Sequence, residues 1–159
     1  MTGLTTDTPL ADSPGQVLIR ADVVGTVAFV IVTVGASVID GNAVTLANIV
    51  VSSVLFLGGC VAFGAGFLRA AGRSRTEVVD MTGLFYLTGT APRAVRRTFL
   101  GLWFLQIVVA TVSVFTVAPP FGVMAPLWGI GLTAAWGARH GTFSVRPAKV
   151  SRTDGSAPQ

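Results

Sequence analysis

Hydrophobic residues gather along this chain in four long runs, separated by two short polar turns and one long polar interval. The first run has its apolar heart at Val23–Ile39 and reaches back to residue 20, which places Arg20 and Asp22 at headgroup depth. A helix of about 20 residues crosses a hydrocarbon core of roughly 30 Å. Many residues of this run are β-branched and favour helix poorly in water. In lipid the backbone has no water to bond, so a spanning segment must satisfy itself and helix prevails. Asp40, Gly41 and Asn42 form a turn, where Gly or Asn is expected to take the positive φ that stops a helix. The second run covers residues 43–68, long enough to tilt or protrude. The third, 98–117, stops at Ala118-Pro119-Pro120, because proline lacks the N–H and clashes with the preceding turn. The fourth, 121–138, carries Pro126, expected to bend it near its start. The pattern predicts an all-α polytopic membrane protein: four transmembrane helices as two hairpins, with a short interfacial helix in the connector between them.

Within the runs, small and polar residues mark the faces that meet other helices. Gly58, Ala62, Gly66 and Ala70 repeat every four residues, and Gly129, Gly131 and Gly137 give a second small face. Such faces let helices approach closely enough for van der Waals packing to hold them. Packing inside the chain is the default reading, and a dimer contact is the alternative. Asn48, with Ser52 and Ser53 after it, and Gln106 lie within apolar runs. Amides at that depth usually bond across helices, so they are expected to join helices rather than to hold a ligand.

The connector, residues 69–97, contains six of the eleven basic residues. Ser74-Arg75-Thr76-Glu77 matches a capping box and predicts a short helix carrying Val78, Val79, Met81, Leu84, Phe85 and Leu87. Gly83 and Thr88-Gly89-Thr90 limit its length. It either lies on the membrane or docks a partner. Thr90-Ala91-Pro92 reads as the next helix start, with Thr90 as cap and Pro92 in the first turn. Arg93, Arg96 and Arg97 follow on one face, suited to lipid headgroups or to a partner's carboxylates. Met81, Leu84 and Phe85 would supply the apolar part of that contact, with Phe85 contributing most.

Composition agrees with a membrane protein. The chain is 52% hydrophobic and 11% charged, against about 25% charged in soluble domains. Its net charge of +4 comes without a recognition helix or an aromatic-basic platform, so nucleic acid is not the expected partner. If both short turns lie on one side, that side has no Lys or Arg, and the positive-inside rule sets the opposite side in the cytoplasm. Both termini are then cytoplasmic and the membrane is the inner (plasma) membrane. Residues 1–19 read as a flexible cytoplasmic tail without a secretory signal pattern, and residues 144–159 as a disordered one. The lone Cys60 cannot form an intrachain disulfide and reads as a small apolar core residue.

The four span cores contain no Asp, Glu, Lys, Arg or His, the residues that proton-coupled transporters and ion pathways normally carry at depth. Asp22 and Asp40 stand at opposite ends of one span and cannot pair. His140 has no second histidine, and no phosphate-binding loop or nucleophile–base pair accompanies it. The expectation is a non-enzyme without cofactor or metal.

Two motifs carry a resemblance: Ala91-Pro92-Arg93 with Arg96-Arg97, and Trp136-Gly137-Ala138-Arg139-His140-Gly141-Thr142-Phe143. They bracket a helix pair with a proline, here Pro126, in the last span. Over residues 76–143 the chain resembles a family of small actinobacterial four-span membrane proteins, one of which accompanies mycobacterial Mce lipid importers as an accessory subunit. The resemblance implies a non-catalytic subunit of a multi-subunit inner-membrane complex, an ABC-driven lipid importer whose permease and ATPase would be partners beside membrane lipids. It carries no catalytic residue, and residues 1–75 lie outside it. The alternative is a small oligomeric transporter of a hydrophobic or neutral substrate, its path built from Asn48, Gln106 and the glycine faces.

Overall fold

The computed structural model describes residues 13–145, so most of both expected tails lies outside the described residues. Helix α1 spans Gln16–Val38 and α2 Asn42–Arg73; a short strand β1 (Glu77–Val78) and helix α3 (Met81–Phe85) follow. Helix α4 covers Arg93–Thr116, a 3-10 turn Phe121–Met124, helix α5 Pro126–His140, and strand β2 Ser144–Val145. Four segments are long and apolar enough to cross a membrane: 16–38, 42–73, 93–116 and 121–140. The protein is an all-α, four-span membrane protein built from two helical hairpins.

Several boundaries differ from the expected ones. Helix α1 begins at Gln16, so residues 16–19 belong to the span rather than to the tail. Its preceding residue, Gly15, has φ 76°, and a Cβ there would lie 2.7 Å from the Trp136 ring nitrogen, so only glycine fits. Helix α2 continues through Arg69 to Arg73, about 48 Å in all. Gly41 has an extended φ of 169°, so the first turn does not use a left-handed stop. Pro126 does not bend a continuous helix either. The chain makes a 3-10 turn first, and α5 starts at Pro126, where a missing N–H costs nothing.

The hairpins dock through α2 and α5, distant in sequence but sharing the most extensive contact, and through α1 and α4. At the α2–α5 crossing the backbones touch. A Cβ on Gly59 would lie 2.6 Å from the Leu127 carbonyl, and one on Gly66 2.8 Å from the Ala135 nitrogen. Gly131 faces the Gly59 carbonyl in return. The Trp128 ring enters the gap that Gly25 of α1 and Gly58 of α2 leave open. Lipid is as apolar as leucine, so this close packing, rather than expulsion of water, holds the helices together.

The connector folds onto the end of this bundle. Ser74 caps nothing at a helix start: it ends α2, and its hydroxyl donates to the Ala71 carbonyl. Residues 77–78 pair antiparallel with 144–145, so the expected tail supplies a strand at its beginning. Asp80 is the true cap of α3, accepting from the Gly83 N–H at 2.9 Å and from the Thr82 hydroxyl. Thr90 is not a cap; its hydroxyl donates to the Gly83 carbonyl at 2.8 Å and its carbonyl accepts from the Thr142 N–H. Leu87 takes φ 54°, rare for a branched side chain. It is fully buried with Ile19, Val95, Phe99 and Trp136, the cluster that seals this end of the bundle.

Candidate functional site

Two places concentrate polar chemistry: the connector and the interior of the bundle. In the connector Arg73 is the fixing point. Its guanidinium meets Glu77 (2.6 Å) and donates to the Ala138 and Gly141 carbonyls, both at 3.0 Å. It also lies 5.0 Å from the Phe143 ring centre, within cation–π range. One side chain thus ties the end of α2 to the end of α5 and to the segment beyond it. At Asp80 the Thr82 hydroxyl, followed by the Gly83 N–H, holds the carboxyl below the usual carboxylate range.

The structure divides the expected contact residues. Leu84 is 2% exposed and belongs to a core cluster with Ala70 and Ala138. Phe85 is half-buried and stacks on Phe63 at 5.6 Å between ring centres. Both are therefore occupied inside the fold, because α3 presses onto α5 where Gly137 admits the Leu84 carbonyl. Phe85 thus offers less free surface than expected, whereas Met81 is 64% exposed. Met81 borders a groove of about 250 Å³ lined also by Phe67, Ala71 and Val79.

Arg93, Arg96 and Arg97 are all exposed on the first turns of α4. Among the described residues the one ion pair is Arg73–Glu77, so none of these three has a carboxylate partner there. With Leu100, Gly101 and Phe104 they line an open trough of about 570 Å³.

Every expected helix-packing residue is used within the chain. Gly58 accommodates Trp128, Ala62 packs against the Leu87 cluster, and Gly66 meets the backbone at 134–135. Gly129 meets Gln106 and Trp103, and Gly137 meets Leu84 and Leu87. Cys60 is exposed on α2, not in the core.

Inside the bundle Asp22 is enclosed by its neighbours. It is not on the bundle's surface but 0% exposed, and one of its oxygens accepts from the Gln106 amide at 3.2 Å. The same amide donates to the Thr26 hydroxyl at 2.6 Å, and the Gln106 carbonyl accepts from the Gly129 N–H at 3.2 Å. Gln106 thus joins α1, α4 and α5. Nearer the turn end, the Thr33 hydroxyl donates to Asn48 at 3.0 Å, joining α1 to α2. Asp22 Oδ2, Asn48 Nδ2, Ser52 Oγ and Trp128 Nε1 are buried without a hydrogen-bond partner among the described residues. A signal for this stripe exists in the sequence: Asp22, Thr26, Thr33 and Ser37 share one helical face. Among the described residues no group of three or more His, Cys, Asp or Glu side chains could hold a metal.

Comparison with protein families, with characterised proteins and with solved structures finds no match to this chain.

Proposed function

We propose that the chain is a non-catalytic accessory subunit of a multi-subunit inner-membrane complex, both termini cytoplasmic, and, following the resemblance in residues 76–143, of a Mce-type ABC lipid importer. The observation that carries this reading is the connector. It is a fixed platform, pinned by Arg73 and by β1–β2 pairing, and it presents Met81 beside an apolar groove. A rigid apolar feature at the membrane edge loses little entropy when a partner's side chains settle on it. Arg93, Arg96 and Arg97, exposed on α4 and without a carboxylate partner among the described residues, would meet carboxylates or lipid phosphates. The test is purification of the tagged chain from its native membranes in mild detergent. Recovery of a permease and an ATPase in fixed proportion supports the reading, and Met81→Asp should reduce it at equal expression. Purification as a single species, with neither protein present, refutes it.

A second reading, a small oligomeric transporter, is favoured by one observation: the buried Asp22–Thr26–Gln106 cluster with Thr33–Asn48 toward the turn end. Intramembrane carboxylates are costly and commonly functional. Flux through proteoliposomes of the chain alone, abolished by Asp22→Asn, would support it over the first.

A further inference from the structure

We propose that the exposed face of α4 is a binding site for an anionic phospholipid, with Arg93, Arg96 and Arg97 holding the phosphate and the notch at Gly101 seating an acyl chain. The proposal does not depend on the accessory-subunit reading, since it concerns the isolated chain.

The spacing supplies the first argument. Residues 93, 96, 97, 100, 101 and 104 fall on one stripe of a helix, and all six line the same trough. The stripe is charged at the connector end and turns wholly apolar over one to three turns, with Phe104 66% exposed. From Arg97 to Phe104 is about 10 Å along the axis, the passage from headgroups into hydrocarbon. A phosphate alone has no use for the apolar half, and a protein carboxylate has none either. A phospholipid occupies both.

Gly101 supplies the second argument. The glycines of the α2–α5 crossing lie against backbone, but a Cβ on Gly101 would meet nothing within 4 Å. No contact inside the fold uses its missing side chain. Mid-helix glycine is unfavourable relative to alanine, and here its effect is to leave a gap between Leu100 and Phe104. Charge supplies the third. The guanidinium fork matches phosphate oxygens, and α4 contains no Asp or Glu to compete. Glu77 is paired with Arg73, and Asp80 with Thr82 and Gly83.

The experiment is native mass spectrometry of the purified, delipidated full chain in detergent, titrated with phosphatidylglycerol or phosphatidylcholine. Phosphatidylglycerol should bind in preference by roughly tenfold or more, with about fivefold lost per arginine replaced by glutamine. Replacing all three arginines can alter insertion, so Gly101→Leu, which keeps every charge, is the second variant. It should weaken phosphatidylglycerol binding severalfold with thermal unfolding unchanged. Equal binding of the two lipids, or a triple variant that keeps the full preference, overturns the proposal. Displacement of lipid by inorganic phosphate, with Gly101→Leu neutral, overturns it in favour of a phosphate site. Displacement by a polyglutamate peptide, with Gly101→Leu again neutral, overturns it in favour of an acidic protein partner.

Discussion

The α2–α5 crossing and the exposed face of α4 both carry glycine and use it in opposite ways. At the crossing, Gly59, Gly66 and Gly131 bring two backbones together with no room for a Cβ. On α4, Gly101 faces open space. The first set holds the fold; the second leaves a surface. The difference teaches that a small residue in a membrane helix has no meaning by itself. Its role is decided by what lies across from it, and that information resides in another helix.

The contrast breaks most visibly at the crossing. Gly66→Leu forces a side chain into the backbone at 134–135 and should destabilise the protein by about 3 kcal/mol or more, read as a lowered unfolding temperature in detergent. An unchanged temperature would mean the helices are not in contact there. Next comes the polar joint. Gln106→Leu leaves Asp22 and the Gly129 N–H without their partner and should cost about 1–3 kcal/mol, with Gln106→Glu failing to restore it because two carboxyls would then face each other.

Asp80→Ala should cost less, about 0.5–1 kcal/mol, because α3 is short and also held by Leu84. The Asp80 carboxyl titrates below its ordinary value in the folded protein, so its stabilisation is present above about pH 4 and lost as pH falls through the lowered value. The wild type and Asp80→Ala should therefore converge in acid. Hydrogen exchange of the α3 amides measures it, and a gap between the two that persists in acid would assign the effect to something other than the charge. Smallest is Gly101→Leu, expected to change stability by no more than about 0.5 kcal/mol. A large loss there would show that the α4 face is already covered.

Four spans, two hairpins and the small faces could be read along the chain, since length, hydropathy and spacing are local properties. The connector could not. Ser74 and Glu77 satisfy a capping pattern, but Glu77 is taken by Arg73 one turn away and its backbone pairs with residue 145. The strand pairing is a tertiary event; the ion pair is a local contact, four residues apart, that competes with the capping pattern. Leu84 and Phe85 read as a free apolar face because nothing near them in sequence shows that Gly137 and Phe63 receive them. Asp22 stands only two residues from Arg20, and nothing near it in sequence shows that it is buried against Gln106, 84 residues on. The four-residue spacing singled out Gly58 but passed over its neighbour Gly59, the residue nearest the α5 backbone.

The central claim is that the chain serves a larger complex through its connector. Photo-crosslinking in native membranes, with the reactive residue placed at Met81, tests it most directly. The account predicts a single major adduct whose partner is a permease or ATPase subunit, and none when the same residue is placed at Val34, which is 53% exposed on α1 toward the opposite end. An adduct at Met81 with only a second copy of this chain would contradict it.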